Sequence, residues 1–488
     1  MTPEGVNITP PDKLFIGGEW VAPLSGQVIE IENPATEEIV ARVAGAGPAD
    51  MDRAVAAARA AFDSGPWPTT APPERMAALM RFVDQLEARV PELAAAWTAQ
   101  IGGLASAATG MHAGAVMGLR GVAAHGANFE FVEYRKGMLV ENMVIAHEPV
   151  GVVVAIAPWN APFAIMAGKV FNALIAGCTV VMKPSPETPL EAYIMAEAAE
   201  AAGMPPGTVN LVPSDREAAD HLIHSSGIDK VTFTGSSAAG CHIASVCGGN
   251  MVRATFELGG KSAAIIRDDF PIEAAAQILG NTITVLSGQV CAMLSRAIVP
   301  RARHDELAEA IAKVMQGVKI GDPNDPTTQL GPLAMKRQLE RVEMYIEEGR
   351  KSGATLVTGG GRPAHMNKGY YIEPTLFANV DNTSRIAQEE IFGPVLCLIP
   401  AEDEEDAIRI ANESEFGLNG SVLTHDAKAA YDIARRIRTG AVAQNGMKLE
   451  FSAPFGGFKK SGIGREGGDG AIWNFLETKT ILLDASPL

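Results

Sequence analysis

A chain of 488 residues is too long for one hydrophobic core, and we expect two large domains with a smaller attachment. Hydrophobic residues make up 47% of the chain and charged residues 20%, a composition typical of a well-buried globular protein. The 57 acidic and 40 basic residues give a net charge of −17 without a basic run, which argues against a nucleic acid as partner.

The five cysteines are an odd number without the dense spacing of a disulfide framework, so the chain is expected in a reducing cytoplasm. Residues 1–11 lack the positive and apolar regions of a signal peptide. No apolar run approaches the ~20 residues that a membrane span requires. Without a His-Glu-x-x-His or Cys-x-x-Cys motif, no metal site is expected.

The first part of the chain predicts short strands and then packing helices. Extended segments are expected at 13–21 and 28–43, and helices at 49–62, 75–100 and 104–128, with a proline-rich loop at 65–73. His112 and His125 of the third helix are interpreted as structural residues. Residues 129–147 alternate apolar and polar types, which predicts strands whose exposed edge another subunit covers.

From residue 151 the pattern changes to short apolar runs that alternate with helices. Strands are predicted at 151–157, 179–182, 208–212, 230–234 and 254–256, and helices at 162–175, 189–202, 217–225 and 238–246. This alternation predicts a doubly wound parallel sheet, whose ligands bind beyond the carboxyl ends of the strands. Asn160, Lys183, Gly235 and Ser236 fall at those ends.

A second αβ region follows residue 260. Helices are predicted at 272–286, 304–318, 333–352, 405–414 and 427–438, with strands at 297–299 and 478–483. The chain has no internal repeat and no low-complexity segment.

Three residues of this framework together suit acyl chemistry at a carbonyl. Cys291 is a lone thiol closely after a glycine, Glu257 is a carboxylate that could serve as a base, and Asn160 offers a strand-end amide. They provide a nucleophile, a base and a donor to an oxyanion. Taken singly, each has an ordinary structural interpretation as a buried cysteine, a solvated carboxylate or a turn residue.

Seven stretches in a fixed order then give the chain a family resemblance. They are APWNAP from residue 157, MKPS from 182, FTGS from 233, FELGGKS from 256, GQVC from 288, EEIFGP from 389 and PFGGFKKSG from 454. Over nearly its whole length, from about residue 13 to 482, the chain resembles the aldehyde dehydrogenase superfamily, non-phosphorylating and NAD(P)-dependent.

The resemblance implies an α/β fold of two doubly wound-type αβ domains, one a Rossmann-like cofactor domain and the other catalytic, with a small β oligomerisation arm. The cofactor-binding domain would take residues 1–127 and 148–258, the catalytic domain 259–466, and the arm 128–147 and 467–488. A homotetramer is expected first and a dimer second, because family members exchange such strands between subunits.

The resemblance also assigns roles to the catalytic residues. Cys291 as thiolate would attack the aldehyde, and Asn160 and the Cys291 N–H would hold the oxyanion. After hydride transfer, a water activated by Glu257 would hydrolyse the thioester to the free acid. Lys169 and Glu466 match family residues that relay protons with Glu257.

For the cofactor, the resemblance implies NAD, with NADP as the alternative. Lys183 would bond the adenosine ribose, and Glu390 and Phe392 would lie beside the nicotinamide ribose, while the Gly235-Ser236 turn would face the pyrophosphate. The complete set implied is Ile156, Ala157, Pro158, Trp159, Lys183, Ser185, Gly235, Ser236, Leu258, Gly259, Glu390 and Phe392. Many NAD-preferring relatives have a glutamate where this chain has Pro186; Glu187 comes one place later, and no arginine is added to bind a 2′-phosphate.

The substrate channel is expected along the helix after Asn160. Its lining residues would be Ala161, Ala164, Ile165, Gly168, Val285 and Phe455. Small residues on the helix and Val285 in place of an aromatic predict a wide apolar tunnel for bulky hydrophobic aldehydes.

Two other functions stay open at this stage. A CoA-acylating relative would pass the acyl group to CoA, but Glu257 argues against it, because that chemistry needs no base for water. A catalytically silent cofactor-binding scaffold is the second alternative, and the joint presence of Cys291, Glu257 and Asn160 argues against it.

Overall fold

Two open sheets, one of eight strands and one of seven, organise the part of the chain that this computed structural model describes, residues 2–450 and 452–487. The predicted domain limits at residues 1 and 488 lie outside the described residues. Among the described helices, none is long and apolar enough to cross a membrane.

The first half of the chain contributes most of the first sheet, its covering helices, and strands of two smaller sheets. The strands are β1 (Leu14–Ile16), β2 (Glu19–Val21), β3 (Gln27–Asn33), β4 (Glu38–Gly45), β5 (Val132–Arg135), β6 (Asn142–Pro149), β7 (Val152–Ile156), β8 (Thr179–Lys183), β9 (Val209–Leu211), β10 (Lys230–Thr234) and β11 (Arg253–Glu257). The helices are α1 (Pro48–Ser64), α2 (Pro72–Ala88), α3 (Val90–Ile101), α4 (Ala105–Ala127), α5 (Pro162–Ala176), α6 (Leu190–Ala201), α7 (Arg216–Ile223) and α8 (Ser237–Gly249).

The second half contributes the second sheet and short connecting pairs. Its strands are β12 (Ser262–Ile266), β13 (Leu294–Pro300), β14 (Thr355–Thr358), β15 (Thr375–Ala378), β16 (Val395–Ala401), β17 (Phe416–Gly417), β18 (Gly420–Leu423), β19 (Ala443–Gln444), β20 (Phe458–Lys459), β21 (Gly462–Ile463) and β22 (Leu476–Leu483). Its helices are α9 (Ile272–Thr282), α10 (His304–Gln316), α11 (Lys336–Lys351), α12 (Arg385–Gln388), α13 (Glu404–Asn412) and α14 (Ala427–Ala434).

The first sheet has the strand order β2-β1-β9-β8-β7-β10-β11-β21, and its five central strands are parallel. Every residue of β7, β8 and β10 is buried, because helices cover both faces of the sheet. The prediction of five parallel strands alternating with four helices is therefore confirmed, and so is the α/β fold class.

The second sheet has the order β14-β15-β16-β13-β12-β18-β19 and is parallel except at β14. Strand β11 of the first sheet ends at Glu257, and strand β12 of the second sheet begins at Ser262. Only a short Leu-Gly-Gly-Lys connection joins the two sheets at this point. The last strand of the first sheet, β21, comes from the far end of the chain and pairs antiparallel with β11 at Glu257.

A third, three-stranded sheet has the order β22-β6-β5. The strands predicted at 129–147 and 478–483 are present, and β22 pairs antiparallel with β6 from Leu476 opposite Pro149 to Leu483 opposite Asn142. Val132, Tyr134 and Leu482 are exposed on these strands.

Two helix predictions were wrong in extent. The helix predicted over 75–100 is two helices divided at Arg89, because Pro91 sits in the first turn of α3, where its missing N–H costs no hydrogen bond. The helix predicted over 272–286 ends at Thr282, because Leu286 and Ser287 take left-handed backbone angles that no helix accommodates.

Candidate active site

Cys291 lies in a turn just before β13, after a backbone segment held in an unusual conformation. Leu286, Ser287 and Gly288 have φ angles of 48°, 54° and 75°, all in the left-handed region. The Ser287 hydroxyl donates to the Gly331 carbonyl at 2.8 Å, which fixes the segment from one side. A Cβ on Gly288 would lie 2.2 Å from the backbone carbon of Gly393, so the two backbone segments are in direct contact there. Strained backbone of this kind persists only where surrounding contacts hold it, and it is concentrated at functional sites.

Asn160 is carried to this segment by the loop between β7 and α5. Its side chain is buried, and Nδ2 donates to the Gln289 carbonyl at 2.9 Å, two residues before Cys291. Its own carbonyl accepts from Trp97 Nε1 at 3.2 Å. The predicted nucleophile and the predicted oxyanion donor are therefore joined through one hydrogen bond to the same loop.

Cys291 as a residue is partly exposed, whereas Cys178, Cys247 and Cys397 are buried and Cys241 is exposed. Burial together with the charges of Glu390 and Glu257 raises the pKa of Cys291 to about 12, against the opposing effect of the Ala292 and Cys291 backbone N–H groups. The raised pKa favours the protonated thiol, so the thiolate that was predicted to attack must be formed by loss of this proton. Attack on a carbonyl requires a base that removes its proton.

Glu257 is the last residue of β11, and its carboxyl group is the candidate for this base. It is buried, and neither carboxyl oxygen has a hydrogen-bond partner among the described residues. Burial and the charge of Glu466 raise the pKa of Glu257 to about 9, while Lys169 and Arg465 act in the opposite direction. A buried carboxyl without a partner is costly, and in a cleft it marks a functional group.

Lys169, Glu466 and Thr232 form a polar triangle next to Glu257. Lys169 Nζ donates to Thr232 Oγ1 at 3.1 Å and forms an ion pair with Glu466. The Thr232 hydroxyl also donates to Glu466 Oε1 at 3.1 Å. The structure thus brings together the two residues that were predicted to relay protons, one from α5 and the other from the segment after β21.

The predicted adenosine end of the cofactor site contains a contact that the sequence did not reveal. Lys183 is buried at the end of β8, and burial lowers its pKa to about 8, opposed by the charges of Glu187 and Asp215. Glu187 accepts from the Ser185 hydroxyl and forms an ion pair with Arg337 of α11 at 2.5 Å. A carboxylate thus lies by Lys183, and an arginine is paired with that carboxylate, a contact that the sequence did not predict.

The predicted pyrophosphate end is the start of α8. Ser236 caps the helix by accepting from the Ala239 N–H at 3.3 Å. A Cβ on Gly240 would lie 2.5 Å from the Leu258 side chain, so the helix packs closely over the residue that follows Glu257. An N-terminus of this kind, open beyond parallel strands, suits an anionic diphosphate.

The predicted nicotinamide end surrounds Glu390. Its Oε1 accepts from the Gly260 N–H at 3.0 Å, and burial raises its pKa to about 7. The Phe392 ring lies edge-on to Trp159, with 5.3 Å between ring centroids. Phe392 has a φ of 62°, a further left-handed residue at this site. Together, the buried lysine, the exposed helix start and the partly buried Glu390 carboxyl fit a dinucleotide.

The predicted substrate residues of α5 share one face. Ala161, Ala164, Ile165 and Gly168 are partly exposed, whereas the residues between them are buried. A Cβ on Gly168 would meet no atom within 4 Å, so open space lies beside it. Val285 is 48% exposed, and Phe455 is partly buried.

Sequence reasoning missed the opposite wall of this region. Met111 and Ala115 of α4 line a small cavity together with Trp97, Ala161 and Ala164. Their spacing of four residues places them on one face of α4, a signal that was available but not used.

Comparison with known proteins gives close relatives over almost the whole chain. Residues 20–481 match the aldehyde dehydrogenase family. A geranial dehydrogenase of Castellaniella defragrans is 43% identical over 471 residues, which cover 96% of this chain and 98% of that protein.

Two solved structures are similar throughout. An aldehyde dehydrogenase of Mycobacterium tuberculosis in complex with NAD+ has a TM-score of 0.92 and 43% identity, and the match covers 97% of this chain and 98% of that one. A mutant of aldehyde dehydrogenase C from Pseudomonas syringae, with NAD+ and octanal, has a TM-score of 0.93 and 39% identity, with 99% of each chain covered.

The strained segment before Cys291 gives a test of the site's construction. We expect Gly288→Ala to destabilise the protein by roughly 2 kcal/mol or more, because alanine resists the left-handed conformation and its Cβ meets the Gly393 backbone. Gly248→Ala, on the open surface of α8, is the matched control and is expected to leave stability unchanged or raised. Thermal unfolding measures both, and an unchanged midpoint for Gly288→Ala contradicts the assigned backbone.

Proposed function

This chain belongs to the aldehyde dehydrogenase family and is an NAD-dependent enzyme that oxidises an aldehyde to an acid, and we propose that Cys291, Glu257 and Asn160 carry its chemistry. The observation that supports these roles is their convergence. The thiol of a partly exposed cysteine, a buried carboxyl without a partner among the described residues, and an amide donor meet at the ends of two sheets.

The first step is the activation of the thiol and its addition to the aldehyde. Glu257 in its ionised form takes the proton of Cys291, and the sulfur attacks the carbonyl carbon. One N–H of the Asn160 amide donates to the Gln289 carbonyl, and the other, with the Cys291 backbone N–H, donates to the oxyanion of the thiohemiacetal. One such donor typically contributes ~3 kcal/mol to transition-state stabilisation.

When bound, NAD supplies the hydride acceptor, so oxidation of the thiohemiacetal leaves a thioester on Cys291. Lys183, the start of α8 and Glu390 would hold the cofactor. A water that Glu257 deprotonates then attacks the thioester and releases the acid, and the leaving Cys291 sulfur takes up the proton. Before this step, Glu257 must release the proton that it took from Cys291. The adjacent Lys169–Glu466 ion pair supports removal of that proton from the buried site.

The two alternative functions, a CoA-acylating enzyme and a silent scaffold, differ from the proposed one in whether they need the carboxyl group of Glu257. A CoA-acylating enzyme has no need of a buried carboxyl to activate water, and a silent scaffold has no need to keep that carboxyl unpaired at a cost in stability. The burial of Glu257 therefore favours hydrolysis over both.

The raised pKa of Glu257 gives the turnover a predicted pH dependence. A base acts only when ionised, so kcat should rise about tenfold per pH unit below the pKa of about 9 and level off near it. Glu257→Gln should abolish this rise and lower both the NADH burst and the steady-state rate, because the activation of Cys291 and the hydrolysis of the thioester both use this base. Steady-state kcat measured from pH 6 to 10 tests both statements; a flat wild-type profile contradicts the role.

Two cysteine variants complete that experiment. Cys291→Ala should fold and lose turnover, whereas Cys241→Ala, an exposed cysteine of α8, should keep it. Turnover that survives Cys291→Ala would overturn the thioester mechanism.

For the choice of cofactor we propose a preference for NAD over NADP. Pro186 provides no carboxylate at its position, but Glu187 lies beside Lys183 and supplies one. A carboxylate there would repel the 2′-phosphate of NADP. Its ion pair with Arg337 weakens that repulsion, which supports some use of NADP.

For assembly and location we propose a cytoplasmic homotetramer. Five free cysteines support a reducing compartment. The exposed apolar residues of the β22-β6-β5 sheet, among them Val132, Tyr134 and Leu482, support cover by a second copy of the chain.

Light scattering should therefore give the mass of four chains at micromolar concentration. We expect Leu482→Asp to lower that mass, because a charge would be buried between subunits. Tyr431→Asp, at an exposed position of α14, is the control and should not lower it. A monomeric wild type contradicts the proposal.

For the substrate we propose a bulky hydrophobic aldehyde. The open face of α5 and the apolar side chains of Met111 and Ala115 support an apolar channel. The names of two relatives agree with this, since one is a geranial dehydrogenase and another was crystallised with octanal.

Such a channel predicts that kcat/KM climbs from acetaldehyde to octanal, because each buried CH₂ adds ~0.8 kcal/mol to binding. Gly168→Trp should reverse the trend by filling the open space beside α5. Gly248→Trp on α8 is the control and should keep it. A flat or falling wild-type series, or a maximum for a charged semialdehyde, would show that the channel is not apolar.

A further inference from the structure

A buried histidine and a buried glutamate lie behind the loop that carries Asn160. Glu191 of α6 is fully buried, and its Oε1 is 2.9 Å from Nε2 of His112 on α4. Gln100 of α3 donates to the other carboxyl oxygen at 3.5 Å. The proposed mechanism uses none of these three residues.

The partners of the pair fix its protons. The second ring nitrogen of His112, Nδ1, is 2.7 Å from the Ala108 carbonyl, which can only accept, so Nδ1 carries a proton. A further proton must lie between Nε2 and Glu191, because two bare lone pairs at that distance would repel. Burial acts to lower the pKa of His112, but hydrogen bonding to Glu191 outweighs it and raises that pKa. The pair therefore stays protonated and joined.

The pair contacts the first turn of α5. The His112 ring stacks on Phe163, with 5.7 Å between centroids and 30° between planes. Pro162 has no N–H to donate, and Ala161 gives the helix no side-chain cap. The Phe163 N–H acts on the Glu191 carboxyl and favours its charged form, so a residue of α6 interacts with the first turn of α5.

A second contact runs through Trp97 to Asn160 itself. The Trp97 ring lies edge-on to His112 at 6.0 Å, and its Nε1 donates to the Asn160 carbonyl at 3.2 Å. A Cβ on Gly103 would lie 2.1 Å from the Trp97 ring, so the ring is confined from its other side. Asn160 is thus held at its backbone by Trp97 and through the following turn by Phe163.

We propose that Glu191 and His112 are positioning residues that hold the Asn160 amide where the oxyanion develops. They act through Trp97 and Phe163, which contact Asn160 and the first turn of α5. The proposal rests on the proposed function, because it assumes that Asn160 is the oxyanion donor. Displacement of such a donor by a fraction of an ångström lowers the rate without altering cofactor binding.

A double-mutant cycle tests the proposal, with the single-turnover rate constant of NADH formation as the readout, measured with enzyme in excess over aldehyde. We expect Glu191→Ala to lower this constant about tenfold with unchanged affinity for NAD. Glu191→Gln should restore most of the rate, because its amide can donate to His112 while its oxygen accepts from the turn. In the Asn160→Ala background, Glu191→Ala should lower the constant less than about twofold.

Two further variants keep the outcome decisive. Trp97→Phe keeps the ring but removes the donor to Asn160, and its loss of rate should also disappear in the Asn160→Ala background. His304→Ala is the control: it truncates another buried histidine, which accepts from the Asn379 N–H in the second αβ unit, and should lower stability while the rate constant stays. A merely structural role would lower the amplitude of the turnover through loss of folded enzyme, but not its rate constant.

The outcomes distinguish the positioning role of Glu191 and His112 from the oxyanion role of Asn160. Equal loss from Glu191→Ala and from Trp97→Phe in both backgrounds overturns the positioning role and leaves the oxyanion role of Asn160 standing. An unchanged rate constant in Asn160→Ala alone overturns the oxyanion role and, with it, the positioning proposal.

Discussion

The buried carboxyl of Glu257 is the constraint on which the active site depends. The charged form of a buried carboxyl group is disfavoured when the group has no hydrogen-bond partner. Burial and the charge of Glu466 raise the pKa of Glu257 to about 9. The fold maintains this group at the end of a central strand, where β21 pairs with β11 at Glu257 itself. Gly456 permits the closest approach, since a Cβ there would lie 2.5 Å from Oε1. Its burial thus comes from segments that are distant in sequence.

The same burial sets the state of the nucleophile. Both Glu390 and Glu257 raise the pKa of Cys291, so the thiol keeps its proton until a base takes it. A thiol is far less susceptible to oxidation than a thiolate. The site therefore protects its nucleophile at rest, and the proton transfer that activates Cys291 is part of the same charge balance that makes Glu257 a base. Nucleophile and base cannot be tuned separately.

The sequence predicted what depends on local pattern. Apolar runs such as Val152–Ile156 predicted buried parallel strands. The motifs around Cys291, Glu257 and Asn160 indicated the site through a family resemblance. Contacts between distant elements could not be predicted. The Glu187–Arg337 ion pair joins α11 to the end of β8, and the His112–Glu191 pair joins α4 to α6. Neither has a signal in spacing, because each depends on how helices pack. The break after Thr282 was missed because left-handed Leu286 and Ser287 have no residue preference that marks them.

Helix α5 shows how such a site can change its substrate without losing its chemistry. Lys169 and Phe163 lie on the buried side, where they contact Glu466 and His112. Ala161, Ala164, Ile165 and Gly168 lie on the partly exposed side, at spacings of three and four residues. A substitution on the exposed side alters the width of the channel, while the contacts that hold Asn160 and the proton relay belong to the other side. Because one rigid element carries both sets, substrate range and catalytic geometry are coupled only through the orientation of the helix, which the buried network behind its first turn maintains.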